Sequence, residues 1–158
     1  MTHATQLTGV TMATNSGLLT GTGAETVYDT TVIISFMIGG KTYQKAAVTD
    51  GATPTTEGAD GATIAALADD TGSVFVWALI ADGTVSLHQG SIETLDAAGA
   101  FLIAPSFPNV DLDVYCPFAY TVIKNNSGSA FTVGTTDWGT AVQTHVNVGV
   151  LPSRPQES

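Results

Sequence analysis

Positive charge is almost missing from this chain. Lys41, Lys45, Lys124 and Arg154 stand against fourteen acidic residues, for a formal net charge of −10. Phosphate backbones would be repelled, so nucleic acid is excluded as a partner. An anionic membrane surface is excluded on the same ground. Charge of either sign is scarce: 11% of residues carry it, against about 25% in an ordinary soluble domain. Cysteine is nearly absent as well. Cys116 stands alone, so no intrachain disulfide can form and a disulfide-stapled scaffold is ruled out. No apolar run approaches the ~20 residues of a membrane-spanning helix. The start Met1-Thr2-His3-Ala4 has no Lys or Arg and no long apolar core after it. No signal peptide is therefore expected, and synthesis in a cytoplasm is. Nucleophile-elbow, P-loop and dinucleotide fingerprints are missing too.

What is present suits a β protein. Apolar residues make up 44% of 158 positions, enough for one domain with a real core that buries roughly 70% of the unfolded surface. Gly, Ala and Thr occupy the places Lys and Glu usually take. A surface so poor in charge is expected to be covered in part by another protein.

Three segments follow from the pattern: an N-terminal arm over 1–29, a β domain over 30–150 and an extended tail over 151–158. The arm is rich in Thr, Gly, Ala and Ser with scattered Leu7, Val10, Met12, Leu18 and Leu19. It reads either as a loose terminus with one short strand or as a segment that orders on a partner. Residues 31–47 read as a hairpin turning at Gly39-Gly40, with Ile38 opposite Lys41 and Phe36 opposite Tyr43. A long loop around Pro54 is expected over 48–62. Thr63–Ala68 reads as a short helix with Ile64, Leu67 and Ala68 on one face and Gly72 as its cap, although Asp69 and Asp70 oppose the helix dipole. Val74–Ala81 is apolar on both faces and should be a central strand. Asp82-Gly83 predicts a two-residue turn that places Ile80 opposite Val85, Ala78 opposite Leu87 and Trp77 beside His88.

Ile92–Leu95 and Ala100–Ile103 are expected to pair. Pro105, Pro108 and Pro117 break the next stretch into irregular loop. Phe118–Lys124 is a strand, and Phe131–Val133 is expected to return beside it. The last strand alternates: Val142, Thr144, Val146, Val148 and Val150 on a core face, and Gln143, His145 and Asn147 on a face left for water or an interface. The predicted fold class is mainly β: an antiparallel β-sandwich or small barrel with at most one short helix.

No catalytic set emerges. His3 lies in the arm, His88 reads as a packed strand histidine and His145 as a surface or interface residue. Cys116, between Tyr115 and Pro117, has no basic neighbour to lower its pKa and reads as a small buried residue. Asp69/Asp70, Glu57/Asp60 and Asp111/Asp113 are near pairs of acids. Asn109, Asp111 and Asp113 offer three alternate side chains toward Ca²⁺, without the turn glycine and distal Glu of a full loop, so solvated acids are the expectation. No sugar-binding aromatic cluster accompanies any pair.

The stretch Lys41-Thr42-Tyr43-Gln44-Lys45-Ala46-Ala47-Val48-Thr49-Asp50-Gly51-Ala52-Thr53-Pro54-Thr55-Thr56, the run Val74-Phe75-Val76-Trp77 and the ending Leu151-Pro152-Ser153-Arg154-Pro155 resemble the capsid decoration (cement) proteins encoded beside the major capsid protein of tailed bacteriophages. The resemblance spans residues 30–155. It implies a virion protein on the capsid surface that binds the major capsid protein, often as a homotrimer, with no catalysis and no cofactor. It carries over no site residues. From the residues themselves, the candidate contact positions are Leu18 and Leu19 in the arm, Val48 and Pro54 in the 48–62 loop, and Gln143, His145 and Asn147 on the last strand. The competing expectation is a phage tail, fibre or adhesin module that binds a glycan or host receptor through Phe107, Tyr115 and Trp138.

Overall fold

The computed structural model describes residues 11–20 and 26–156. It is built from antiparallel sheets. Ten strands follow in order: β1 (Met12–Ala13), β2 (Leu18–Thr20), β3 (Val27–Thr30), β4 (Ile34–Ile38), β5 (Lys41–Lys45), β6 (Val48–Ala52), β7 (Thr71–Leu79), β8 (Val85–Thr94), β9 (Cys116–Asn125) and β10 (Val142–Asn147). Among the described residues the only helical element is a single 3-10 turn at Trp138–Thr140, capped by the Asp137 carboxylate. The strands form a four-stranded sheet in the order β10-β9-β7-β8 and two three-stranded sheets, β1-β4-β5 and β2-β3-β6. None of these closes into a barrel, so the sandwich is the architecture found.

The four-stranded sheet is the middle layer. On one side Phe75, Trp77, Leu79, Leu87, Phe118 and Ile123 form the principal core with Ala13, Ile34, Phe36 and Ile38 from one small sheet and Leu18 and Tyr28 from the other. The Tyr28 and Trp77 rings lie 5.1 Å apart, and Trp77 and Trp138 6.0 Å apart. On the far side Val74, Val76, Tyr120 and Val122 carry a smaller core beneath loop residues Phe101, Phe107, Val110 and Leu151. This double burial explains why β7 is apolar on successive residues, as expected for a central strand.

The β4–β5 hairpin has the predicted register, with Ile38 opposite Lys41 and Phe36 opposite Tyr43. Gly39 and Gly40 both take positive φ, at 57° and 83°, as a two-residue turn between right-twisted strands requires. The β7–β8 hairpin differs from expectation by one residue. Leu79 faces Val85, Ala78 faces Ser86, and Trp77 faces Leu87. Gly83 sits at φ 84° and Ile80 N–H bonds the Thr84 carbonyl, so the loop has three residues and the glycine absorbs the extra one. His88 is thereby opposite Val76, its ring edge-on to Tyr115 at 4.7 Å.

Other expectations are corrected in the same way. Thr63–Ala68 is extended, not helical. Leu67 exchanges both backbone hydrogen bonds with Phe131, and Ile64 N–H bonds the Thr55 carbonyl. Long-range partners satisfy the backbone here, and the unfavourable acids at the helix end leave nothing to offset that. Gly72 belongs to β7, where an added Cβ would lie 2.5 Å from the Ile123 carbonyl. The 48–62 loop begins as strand β6, paired with β3. Ala100–Ile103 makes one bridge, Leu95 to Phe101, rather than a strand, and Phe131 bridges Leu67 instead of returning beside β9. Pro117 lies within β9, at the register shift beside Trp77 and Ala78, where a bulge tolerates a residue without an N–H.

The described part of segment 1–29 is built into the body: β1 pairs with β4 and β2 with β3. The tail is extended but tied down. Pro155 is buried and Gln156 N–H donates to Tyr120 Oη at 2.9 Å. His3, Leu7 and Val10 lie outside the described residues. No helix of the described residues is long and apolar enough to cross a membrane.

Candidate interaction surface

The β1-β4-β5 sheet has two different faces. Ile34, Phe36 and Ile38 point into the core. Alternation then sends Ser35 and Met37 of β4 outward with their partners Gln44 and Thr42 on β5, and Met12 of β1 opposite Met37. Thr14 continues this face, its hydroxyl accepting from Ser35 N–H at 3.0 Å. These six side chains line a groove of about 600 Å³. None is charged. Met12 is 47% exposed. Lys41 and Lys45, at the two ends of β5, fall on the opposite face with Tyr43. The groove is therefore a neutral concave surface on a molecule of net charge −10.

The residues singled out in the sequence lie elsewhere. Leu18 is buried in the principal core. Its N–H donates to Asn147 Oδ1, which also accepts from Ser16 Oγ. Two of the proposed contact positions thus meet each other. Leu19 pairs with Asp29 in the β2–β3 ladder. Val48 is half-buried against the core and takes a bond from its N–H to Thr30 Oγ1. Pro54 is half-buried in the loop after β6. Gln143, His145 and Asn147 pair with Ile123, Thr121 and Ala119, so they share the principal-core side of the middle sheet. The face expected to be wet is the one turned toward Trp77. Val146 and Val148 pack on the smaller core, while Val142 and Val150 are exposed. Neither face of β10 follows the simple division its alternation predicts, because the sheet is covered on both sides.

The polar groups inside the molecule are explained by their contacts. Trp77 Nε1 donates to Thr121 Oγ1 at 2.9 Å, and Thr121 Oγ1 lies 2.9 Å from His145 Nδ1. The indole can only donate, so the threonine proton is left for the imidazole nitrogen, which fits a neutral ring. Burial pulls the His145 pKa down to about 4. His88 is fully buried, also lowered by burial, and 3.1 Å from Ser86 Oγ. Both members of this serine–histidine pair belong to β8, two residues apart, with Tyr115 edge-on to the ring. Tyr115 donates its hydroxyl to the Gly58 carbonyl. Burial pushes the Cys116 thiol up to about 11, which disarms it as a nucleophile at neutral pH.

Burial raises the Glu57 carboxyl, the Gln89 N–H lowers it in part and Asp60 raises it again. Both Glu57 oxygens are held by that N–H, at 2.9 and 3.2 Å. Asp111 Oδ1 accepts from Asp113 N–H, a local turn on the surface. No group of three or more His, Cys, Asp or Glu able to hold a metal ion occurs among the described residues.

The aromatic residues considered for glycan binding do not form an exposed cluster. Trp138 is in the core, and Phe107 is edge-on to Tyr120 at 5.1 Å. The chain matches no protein-family model, no curated protein and no solved structure. The groove itself was missed in the sequence, although the hairpin register already put Ser35, Met37, Thr42 and Gln44 on one face. The missing signal was β1: two residues in a Thr/Ala-rich segment give no period to read.

Proposed function

We propose that this protein is a non-enzymatic virion component that binds the outer surface of a bacteriophage capsid and stabilises the shell. The observation that carries the reading is the neutral groove of Met12, Thr14, Ser35, Met37, Thr42 and Gln44. Charged groups at the centre of an interface must be stripped of water, and a stable interface centre is accordingly depleted in them. Hydroxyl and amide side chains between two methionines supply hydrogen bonds and adaptable apolar contact without that cost. The partner in this reading is the major capsid protein, and the docked form is a homotrimer. Bound copies would add contacts across capsomers, and the acidic remainder of the surface would keep virions apart. The reading assigns no chemistry to Ser86, His88 or Cys116.

The test is sedimentation of the purified protein with undecorated capsids. Saturable binding in a fixed ratio to capsid subunits is expected. Met12→Glu and Thr42→Glu each place a charge in the groove at an exposed site, and each should abolish binding while leaving the thermal transition in place. Absence of binding by the native chain, or equal binding by both variants, overturns the proposal.

A further inference from the structure

On the other face of β5 a second, chemically different opening lies between the tips of two hairpins. We propose that this cleft binds a neutral saccharide. It has a volume of about 650 Å³, within the usual range of about 300–1,000 Å³ for small-molecule sites. Its walls come from three places: Lys41 and Tyr43 on β5, Ile80–Asp82 in the β7–β8 turn, and Asp113–Tyr115 before β9. The hairpin registers decide this meeting. Alternation sends Lys41 and Tyr43 away from Thr42 and Gln44, although Tyr43 also borders the neutral groove. The three-residue turn brings Gly83 under Lys45, with the lysine Cδ 3.5 Å from where a Cβ would stand.

A pyranose ring presents apolar C–H faces and a rim of hydroxyls that both donate and accept. The cleft holds the complement of each. Asp82, whose Oδ1 also accepts from Thr84 N–H, and Asp113 are exposed acceptors, Lys41 is a donor, and Tyr43 and Tyr115 stand beside Ile38, Ile80 and Val114 in the lining. The Tyr43 ring is held by stacking on Phe36 at 5.4 Å. The Tyr115 ring is fixed by its contact with His88 and by its hydroxyl bond to Gly58. Both aromatic surfaces are therefore in place before a ligand arrives, which lowers the ordering cost of binding. Charge selects within the class. The lining carries two carboxylates and one ammonium, so sialic acids, uronic acids and phosphorylated sugars meet net repulsion and neutral hexoses do not. This inference is separable from capsid docking: Tyr43 borders both openings, but Lys41, Asp82 and Asp113 line the cleft and not the groove.

The experiment is titration of the isotope-labelled full chain with maltose, lactose, chitobiose, mannobiose and sialyllactose, following backbone amide resonances. At least one neutral disaccharide is expected to saturate shifts confined to 38–43, 80–83 and 113–115, with a Kd of about a millimolar. Sialyllactose should bind more weakly than lactose. Lys41→Ala and the double change Asp82→Asn with Asp113→Asn alter exposed side chains, and each should weaken binding about tenfold or more, the scale of one lost charge-assisted hydrogen bond. Thr42→Glu, on the groove face, should leave saccharide binding unchanged. The proposal is overturned if no disaccharide moves these resonances, if the acid and lysine variants bind as the native chain does, or if Thr42→Glu removes the binding.

Discussion

Two tryptophans with equal burial have different prospects under substitution. Trp77 and Trp138 are both fully inaccessible, but Trp77 Nε1 has Thr121 as acceptor and Trp138 Nε1 has none among the described residues. Replacing each by Phe removes similar volume. Trp77→Phe also breaks a buried hydrogen bond, whereas Trp138→Phe deletes an unsatisfied donor. Trp77→Phe should therefore cost about 1–2 kcal/mol more, read from urea midpoints at a common slope. His145 sets a pH dependence. Its folded pKa of about 4 lies below the ordinary histidine value of 6.5, so the unfolded chain takes up a proton first as pH falls. The stabilisation is complete above about pH 6.5, declines between about 6.5 and 4, and is gone below, amounting to at most about 3 kcal/mol. His88 acts in the same direction. Urea melts of His145→Gln should show a flatter decline over that window than the native chain; an unchanged profile would contradict the burial argument.

At the scale of elements, an irregular segment is fastened by side-chain hydrogen bonds. Asn125, at the end of β9, donates through Nδ2 to the carbonyls of Leu67, Ala68 and Ser129 at 2.8–3.1 Å. One amide thus anchors the extended stretch that sequence periodicity presents as a helix. Asn125→Ala removes the donor shared by three carbonyls, which keep Phe131 N–H, Thr71 Oγ1 and Ser127 Oγ as their remaining donors, and should destabilise by about 1–2 kcal/mol. Hydrogen exchange at the Leu67 and Phe131 amides should accelerate more than exchange in β7. Equal acceleration throughout would mean that the clamp has no local role. The hairpins make a complementary point. At Gly39-Gly40 two adjacent glycines fix the turn, and the register was legible. At Asp82-Gly83 the same signal was present, but whether the loop takes two residues or three depends on how β7 and β8 meet their other neighbours.

For the whole molecule, the scarcity of charge acts through its placement. The neutral groove and the charged cleft both border Tyr43 on one edge strand but differ in lining charge, so they should respond differently to salt. Binding to capsids through the groove should change little over a tenfold rise in ionic strength, because screening acts on charges the contact does not use. Sedimentation with capsids at low and high salt checks this, and a steep loss of binding at high salt would move the contact to another surface. Light scattering adds an independent measure: a mass of three copies would agree with a symmetric docked trimer.

Local chemistry settled much of the strand inventory. β-branched and aromatic runs gave β4, β7 and β9, paired glycines gave the β4–β5 register, and the apolar character of both faces of β7 placed it at the centre of a sandwich. These properties are read over a few neighbouring residues, and the chain alone contains them. The tertiary structure decided the rest. It made β strands of Met12–Ala13, Leu18–Thr20 and Val48–Ala52, which are too short or too polar to announce themselves, by giving them partners in other segments. It turned the polar face of β10 toward Trp77, because only the second layer determines which side of an edge strand is covered. It also left both candidate binding surfaces to be found in space, since the groove needs β1 to pair with β4 and the cleft needs segments from two sheets to meet.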